Sequence, residues 1–369
     1  MENKYNTMIY PFDVDSVSLI RHYDIVEDYN FVHVVSPNGW GLTGKDVGYT
    51  DDGEPLGIVV ENDFNKALED CDTVLFVKSN QELDFFGIVY PKMIIAAETS
   101  KNIVCTIKLE EKEKNIISSI CSKNNKFFKY IIKEFKQLDG PLEEENYKID
   151  VPVIFVAGLC ERTNKFEIQL NIREALLQMG YQVSQIGTHS YCELMGFHSF
   201  PQFMFEKDFY EWEKITLFNH YVKKLEVTEE PDIIVIGIPG ATMPIDELFT
   251  NKFGNMVYQV SEAISPDVAV LSVLYQKDIT SDYFKFISTA HKNKYGFDID
   301  CYNMANAIYN DDYSKFVRKV QYVTCNYKFI SEKIKSYSSL ETPVFNILDK
   351  DAGGQMTEFL VDKLSEYAI

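Results

Sequence analysis

The segment Val151-Pro152-Val153-Ile154-Phe155-Val156-Ala157 runs apolar without interruption and breaks on Gly158. A short run of that kind, with no polar alternation, reads as a strand covered on both faces, as in a parallel sheet flanked by helices. The residues that follow, Leu159-Cys160-Glu161-Arg162-Thr163-Asn164-Lys165-Phe166, open on glycine and hold a lysine. They lead into helical spacing at Ile168, Ile172, Leu176 and Met179, with Gly180 as a stop. Strand, glycine-opened loop and helix start form the layout of a phosphate-binding loop, where amide N–H groups at the helix start face an anion.

The same rhythm extends on both sides. Thr7 to Tyr10, Phe31 to Ser36, Thr73 to Val77 and Asn102 to Ile107 read as strands. Val14 to Glu27, Asp63 to Asp70 and Phe85 to Ser100 read as the helices between them. After the loop, strands are expected at 182–186, 232–238, 268–274, 321–325 and 344–348, with helices at 167–179, 208–226 and 355–367. Such alternation predicts an α/β protein with parallel sheets. Leu138-Asp139-Gly140-Pro141 beside the acidic run 143–145 marks a linker. The predicted organisation is one domain over 1–138, a linker over 139–150 and a second domain over 151–369. No Gly-x-Gly-x-x-Gly follows the first strand, so the dinucleotide fingerprint is missing.

Charge narrows the partners. A formal charge of -20 disfavours nucleic acid, which needs a basic face, and anionic lipid likewise. No apolar run of roughly 18 residues spans a membrane, and the polar start Met1 to Tyr5 predicts a cytoplasmic protein. Seven cysteines, with no Cys-x-x-Cys pair, predict core thiols rather than a disulfide framework or a zinc site.

The loop departs from its type. Asn164 stands where a second glycine belongs and would crowd that position; Phe166 stands where a Ser or Thr would hold magnesium. The strand 232–238 ends on Gly237 and Ile238 with no nearby carboxylate for a metal, since Asp246 and Glu247 come later. Magnesium-dependent ATP hydrolysis is therefore not expected. Two outcomes stay open: a phosphate-bearing ligand on Gly158, Thr163, Asn164 and Lys165, or a plain strand-to-helix turn with Lys165 in solvent.

A second unusual segment, Gly187 to Phe205, holds His189, Cys192, Glu193, His198 and four phenylalanines. Leaving the carboxyl end of a strand, it is placed to meet Cys160 in one crevice. Three readings compete: a metal site without a standard spacing, a Cys–His nucleophile pair, or an aromatic wall in which one histidine makes a polar contact. Asn219 and His220 are candidates for the same crevice. Ile238-Pro239-Gly240-Ala241-Thr242 is expected as its third wall, with Gly240 near the ligand. The glycine-rich loop around Trp40 (Ser36 to Asp46) reads as an interface plug or a ligand contact, and Asp349 to Gly354 as a helix cap.

Ser36 to Asp46, Gly158 to Gln169, and Gly187 to Phe205 followed by Ile236 to Pro244 together resemble the peptide maturation system proteins encoded beside radical enzymes. Gly196-Phe197-His198-Ser199-Phe200-Pro201 is the most distinctive match. The resemblance implies a pathway, maturation of a ribosomally made peptide, and as partners the precursor peptide or the radical maturase. More distantly, a Rossmann-like domain followed by a P-loop domain is similar to a bacterial family that includes D-glutamate N-acetyltransferase. The glycine-to-lysine spacing also resembles that of dethiobiotin synthetase. The expected function is a maturation factor that binds a nucleotide or CoA at a degenerate P-loop, with His189 or His198 moving a proton and no metal ligands assigned. The alternative is a noncatalytic scaffold or chaperone for the peptide or its maturase.

Overall fold

The computed structural model describes residues 4–132, 144–277 and 279–367. Part of the expected linker, residues 139–143, lies outside them. Contacts divide the chain into two compact units. The first comprises Met1–Glu134 with His189–Ser199, and the second Phe135–Thr188 with Phe200–Ile369.

In the first unit, strands β1 (Tyr5–Tyr10), β2 (Tyr29–Val35), β3 (Val60–Glu61), β4 (Thr73–Phe76), β5 (Asn102–Cys105) and β6 (Phe128–Tyr130) form one sheet. Its order is β3-β2-β1-β4-β5-β6, with every pairing parallel. This is the strand order of a Rossmann-like sheet. Helices α1 (Val17–Arg21), α2 (Phe64–Glu69), α3 (Tyr90–Glu98) and α4 (Glu111–Lys123) accompany it. The single helix expected over 14–27 is broken into a 3-10 turn, the five-residue α1 and another 3-10 turn. After β1, where a dinucleotide fold places glycines, the turn is filled by Asp13, which accepts from the Asp15 amide at 3.0 Å and the Asn80 amide at 2.6 Å. A carboxylate built into that turn opposes a pyrophosphate there.

The second sheet is made of β7 (Val153–Gly158), β8 (Val183–Gly187), β9 (His198–Ser199), β10 (Ile233–Gly237), β11 (Val268–Leu274), β12 (Cys301–Ala305) and, after the antiparallel hairpin β13 (Ala307–Tyr309) and β14 (Tyr322–Thr324), β15 (Val344–Phe345). The sheet order is β15-β12-β11-β7-β10-β8-β9. The loop-bearing strand β7 lies between β10 and β11, parallel to both, and all of its residues are buried. Its helices are α5 (Lys165–Gln178), α6 (Glu211–Glu229), α7 (Asn255–Ala263), α8 (Ser281–Tyr295), α9 (Asp311–Val317), α10 (Tyr327–Ile334) and α11 (Ala352–Tyr367). Even-numbered residues of β7, such as Ile154 and Val156, pack with Ile168 and Ile172 of α5; odd ones, such as Phe155, pack on the opposite side with Phe218 and Phe297. The uninterrupted apolar run thus serves two cores at once. The strand expected at 321–325 is β14, which pairs with β13 in the hairpin and not in the seven-stranded sheet.

Between β10 and α7 the backbone takes four consecutive left-handed residues: Asn251 (φ 48°), Lys252 (51°), Phe253 (56°) and Gly254 (72°). L-residues visit this region singly as a rule. Gly254 is required, because a Cβ there would lie 2.0 Å from the Tyr295 hydroxyl and 2.2 Å from the Thr242 carbonyl oxygen.

Candidate functional site

The site is built on the turn from β7 into α5. A Cβ on Gly158 would meet Thr163 Oγ1 at 2.3 Å, the Cys160 carbonyl oxygen at 2.8 Å and Lys165 Cδ at 2.9 Å. The loop therefore curls back over the end of its own strand, and only glycine leaves room for it. Arg162 (φ 55°) and Asn164 (φ 56°) adopt the left-handed conformation that closes the curl. Asn164 does not crowd the second glycine position. It supplies the same positive φ, which asparagine tolerates better than most residues.

Neighbouring strands brace the curl. Leu159 N–H donates to the Ser272 carbonyl at 2.8 Å, and the Ser272 hydroxyl donates to the Thr163 carbonyl. Asn303, fully buried on β12, donates to the Ser272 hydroxyl at 2.8 Å and accepts from the Ile347 amide at 2.8 Å. Across β10, Thr242 N–H donates to the Gly158 carbonyl at 3.0 Å. This contact is the expected third wall, but Thr242 makes it; Gly240 (φ 81°) turns the chain two residues earlier and has no heavy atom within 4 Å of its Cβ position.

Thr242 is itself held by His291, whose Nε2 lies 2.8 Å from the threonine hydroxyl and whose Nδ1 lies 2.8 Å from the Ile287 carbonyl. A carbonyl can only accept, so Nδ1 carries the proton and Nε2 accepts from Thr242. Burial lowers the His291 pKa to about 4 from its ordinary 6.5. The unfolded chain then binds the extra proton between those values, and stability falls as pH drops from 6.5 towards 4. We expect denaturant midpoints to decline over that window and His291→Gln to flatten the decline; an unchanged slope in the variant would assign it elsewhere.

Lys165 is the chemical centre of the loop. It is only 9% exposed, so the reading that left it in solvent is overturned. Its ammonium donates to the Cys160 carbonyl at 3.2 Å, the same oxygen that accepts from Thr163 Oγ1 at 3.2 Å. Burial pulls its pKa down to about 8, with Glu161 and Cys160 opposing the fall. One of three ammonium donors is used, leaving a buried cation under-satisfied. Among the described residues, the amides of Cys160, Glu161, Thr163, Asn164 and Lys165 donate to no carbonyl or side chain.

Beneath α5, sequence reasoning missed a plug. Gln169 is fully buried, donates from Nε2 to the Lys165 carbonyl at 2.9 Å and lies against Gly237; a Cβ on Gly237 would fall 2.1 Å from its Cδ. An uncharged carboxamide thus covers the strand end, where nucleotide-hydrolysing P-loop proteins present a magnesium-binding carboxylate. Gln169 Oε1 and both polar atoms of the fully buried Gln185 have no hydrogen-bond partner. Gln185 of β8 pairs with Val235 of β10 and faces the same side of the sheet.

The residues expected to share one crevice are Cys160, His189, Cys192, Glu193 and His198. The last four belong to the first unit and Cys160 to the second. Cys192 Sγ donates to the His189 carbonyl rather than meeting its ring, and burial raises its pKa well above the ordinary value, which opposes a thiolate nucleophile. Glu193 is engaged by the Ser199 amide and hydroxyl, and the Tyr191 hydroxyl donates to the Asp15 carbonyl at 2.7 Å. Among the described residues, no group of three or more His, Cys, Asp or Glu side chains is placed to hold a metal. Asn219 and His220 serve a different purpose from the one expected. They bond the backbone of Tyr147 and Glu145 and fix the approach to β7. In the Trp40 loop, Gly39, Gly41 and Gly44 all have positive φ and Trp40 is half-buried.

Two concavities of about 550 and 520 Å³ lie in the second unit, and neither is lined by the loop. The second is walled by Glu262, Asp267, Asp298 and Asp300, a poor lining for an anion. The chemistry, not the hollow, therefore locates the site.

No protein-family model and no curated protein matches the sequence. Among solved structures, the fold is similar to that of a DUF1611 family protein from Anabaena variabilis. The TM-score is 0.63 at 11% identity, covering 98% of this chain and 100% of that one. Homoserine dehydrogenase from S. aureus aligns at TM-score 0.27 and 12% identity over 34% of this chain and 32% of that one. Amine dehydrogenase from Mycobacterium smegmatis aligns at TM-score 0.27 and 12% identity over 50% and 47%. The full-length likeness establishes the two-sheet α/β fold, Rossmann-like in its first unit, and carries no activity with it.

Proposed function

We propose that this protein binds a phosphate-bearing ligand, a nucleotide or an acyl-CoA, on Gly158 to Lys165. One observation carries the reading: a buried ammonium with a single acceptor belongs to the same loop as the amides of Cys160, Glu161, Thr163, Asn164 and Lys165, which among the described residues have none. An anion supplies both deficits at once. The resemblance of the three sequence segments supports a place in the maturation of a ribosomally made peptide, in the cytoplasm. The binding role rests on the second unit alone and needs neither His189 nor His198.

Thermal-shift titration with ATP, GTP, CoA, acetyl-CoA and tripolyphosphate tests this. At a ligand concentration of 100 times Kd the expected stabilisation is about 2.7 kcal/mol, a rise of a few degrees in Tm. No shift with any of the five rejects the proposal.

The Gln169 plug favours the noncatalytic reading within this proposal. A carboxamide over Gly237 carries no charge to hold a divalent ion. The ligand would then be held rather than hydrolysed, as in a scaffold for the precursor peptide or its maturase. Incubation with ATP and magnesium should return the ATP uncleaved; turnover would remove this reading while leaving the binding site intact.

A further inference from the structure

The hairpin of β13 and β14 leaves the carboxyl end of β12, the same end of the sheet at which Gly158 opens the loop. It is anchored there by the bond from Tyr275 N–H to the Ala307 carbonyl at 3.1 Å and by that from Cys325 N–H to the Asn306 carbonyl at 2.8 Å. Tyr309 and Tyr322 stand directly opposite each other across the hairpin, so their rings lie on one face, and both are half-buried. Tyr309 and Tyr322 pack against the core cluster that holds Leu159 and Cys160 of the loop. Tyr283 on α8 packs against the same cluster; its hydroxyl oxygen is shielded from solvent and has no hydrogen-bond partner. A buried phenol hydroxyl without a partner is a donor that the packing of the core leaves unused.

We infer that Tyr309 and Tyr322 form the wall that receives a planar base attached to the phosphate chain, with the Tyr283 hydroxyl as a donor to it, so that the ligand is a purine-nucleotide group of the kind shared by ADP and CoA. The inference rests on the phosphate reading above. Ring-on-ring stacking is tolerant of base identity and typically changes affinity by about 10- to 100-fold per base.

Calorimetric titration of the full chain with tripolyphosphate, ADP and CoA separates the two ideas. ADP and CoA should bind at least about 10-fold more tightly than tripolyphosphate. Tyr322→Ala and Tyr309→Ala should remove most of that advantage and leave tripolyphosphate affinity unchanged, while Tyr322→Phe retains it. If an alanine variant does not fold, Tyr322→Leu, which keeps the buried bulk but not the ring face, gives the same reading. Equal affinity of tripolyphosphate and ADP, or equal loss of both in the variants, overturns the aromatic subsite alone. Absence of binding by all three overturns it together with the phosphate site. ADP binding without CoA binding, or the reverse, supports the subsite and identifies the source of the base.

Discussion

Gly158→Ala should abolish ligand binding and destabilise the protein by about 1–3 kcal/mol, the usual range for forcing an extra carbon into a packed site. The added Cβ would sit 2.3 Å from Thr163 Oγ1 and 2.8 Å from the Cys160 carbonyl, and the latter is backbone that cannot swing aside. The curl of 158–165 would have to open. Gly240→Ala is the control. Its φ of 81° makes a side chain costly by about 1 kcal/mol, but nothing lies within 4 Å of the new atom. Urea unfolding and tripolyphosphate titration of both variants would decide it. A Gly158→Ala protein that binds as well as wild type would mean that the curl does not hold the ligand.

Lys165→Met should separate stability from binding in opposite directions. At pH 7 the wild-type protein holds a charged lysine in a desolvated place. The fall of its pKa from 10.5 to about 8 corresponds to a folding penalty of about 3 kcal/mol. Methionine keeps the stem and drops the charge, so the unliganded variant should be more stable, by up to that amount, while losing most anion affinity. The pH dependence gives a second check. Between 8 and 10.5 the unfolded chain binds the proton that the folded lysine has released, so wild-type stability rises with pH across that window, and the variant's does not. Ligand affinity in the wild type follows the free lysine and should decline as pH rises through about 8. A Met variant that is less stable and binds unchanged would show Lys165 to be a packing residue only. Glu161, which favours the charged ammonium, is exposed at the same loop and tempers the site's attraction for phosphate.

What the sequence revealed follows from which signals are local. Val151 to Gly158 was readable because a strand buried on both faces needs an unbroken apolar run, and the structure buries every residue of β7. Strand β12 escaped because Asn303 interrupts its pattern, and that asparagine is there to hold Ser272 against the loop. Helix α4 was hidden by its charged residues, Glu111, Lys112, Glu113 and Lys114, which leave few apolar positions to count. Within the site, Gly158 and Lys165 could be found by spacing. Gln169 over Gly237, and Thr242 on the Gly158 carbonyl, join residues 68 and 84 positions apart. No periodicity announces such pairs. His189 and His198 drew attention by composition, but their grouping with the first unit depends on packing that residue types do not encode.

The left-handed turn at 251–254 behaves as a set spring. Three non-glycine residues held in that hand store elastic energy of roughly 1–2 kcal/mol each. The catch consists of Lys294, whose ammonium bonds the Phe253 carbonyl at 2.6 Å, and Tyr295, whose hydroxyl bonds the Thr242 carbonyl. Both sit in the final turn of α8. Loss of either bond would remove a restraint on that turn and, for Tyr295, on Thr242, whose amide bonds the Gly158 carbonyl.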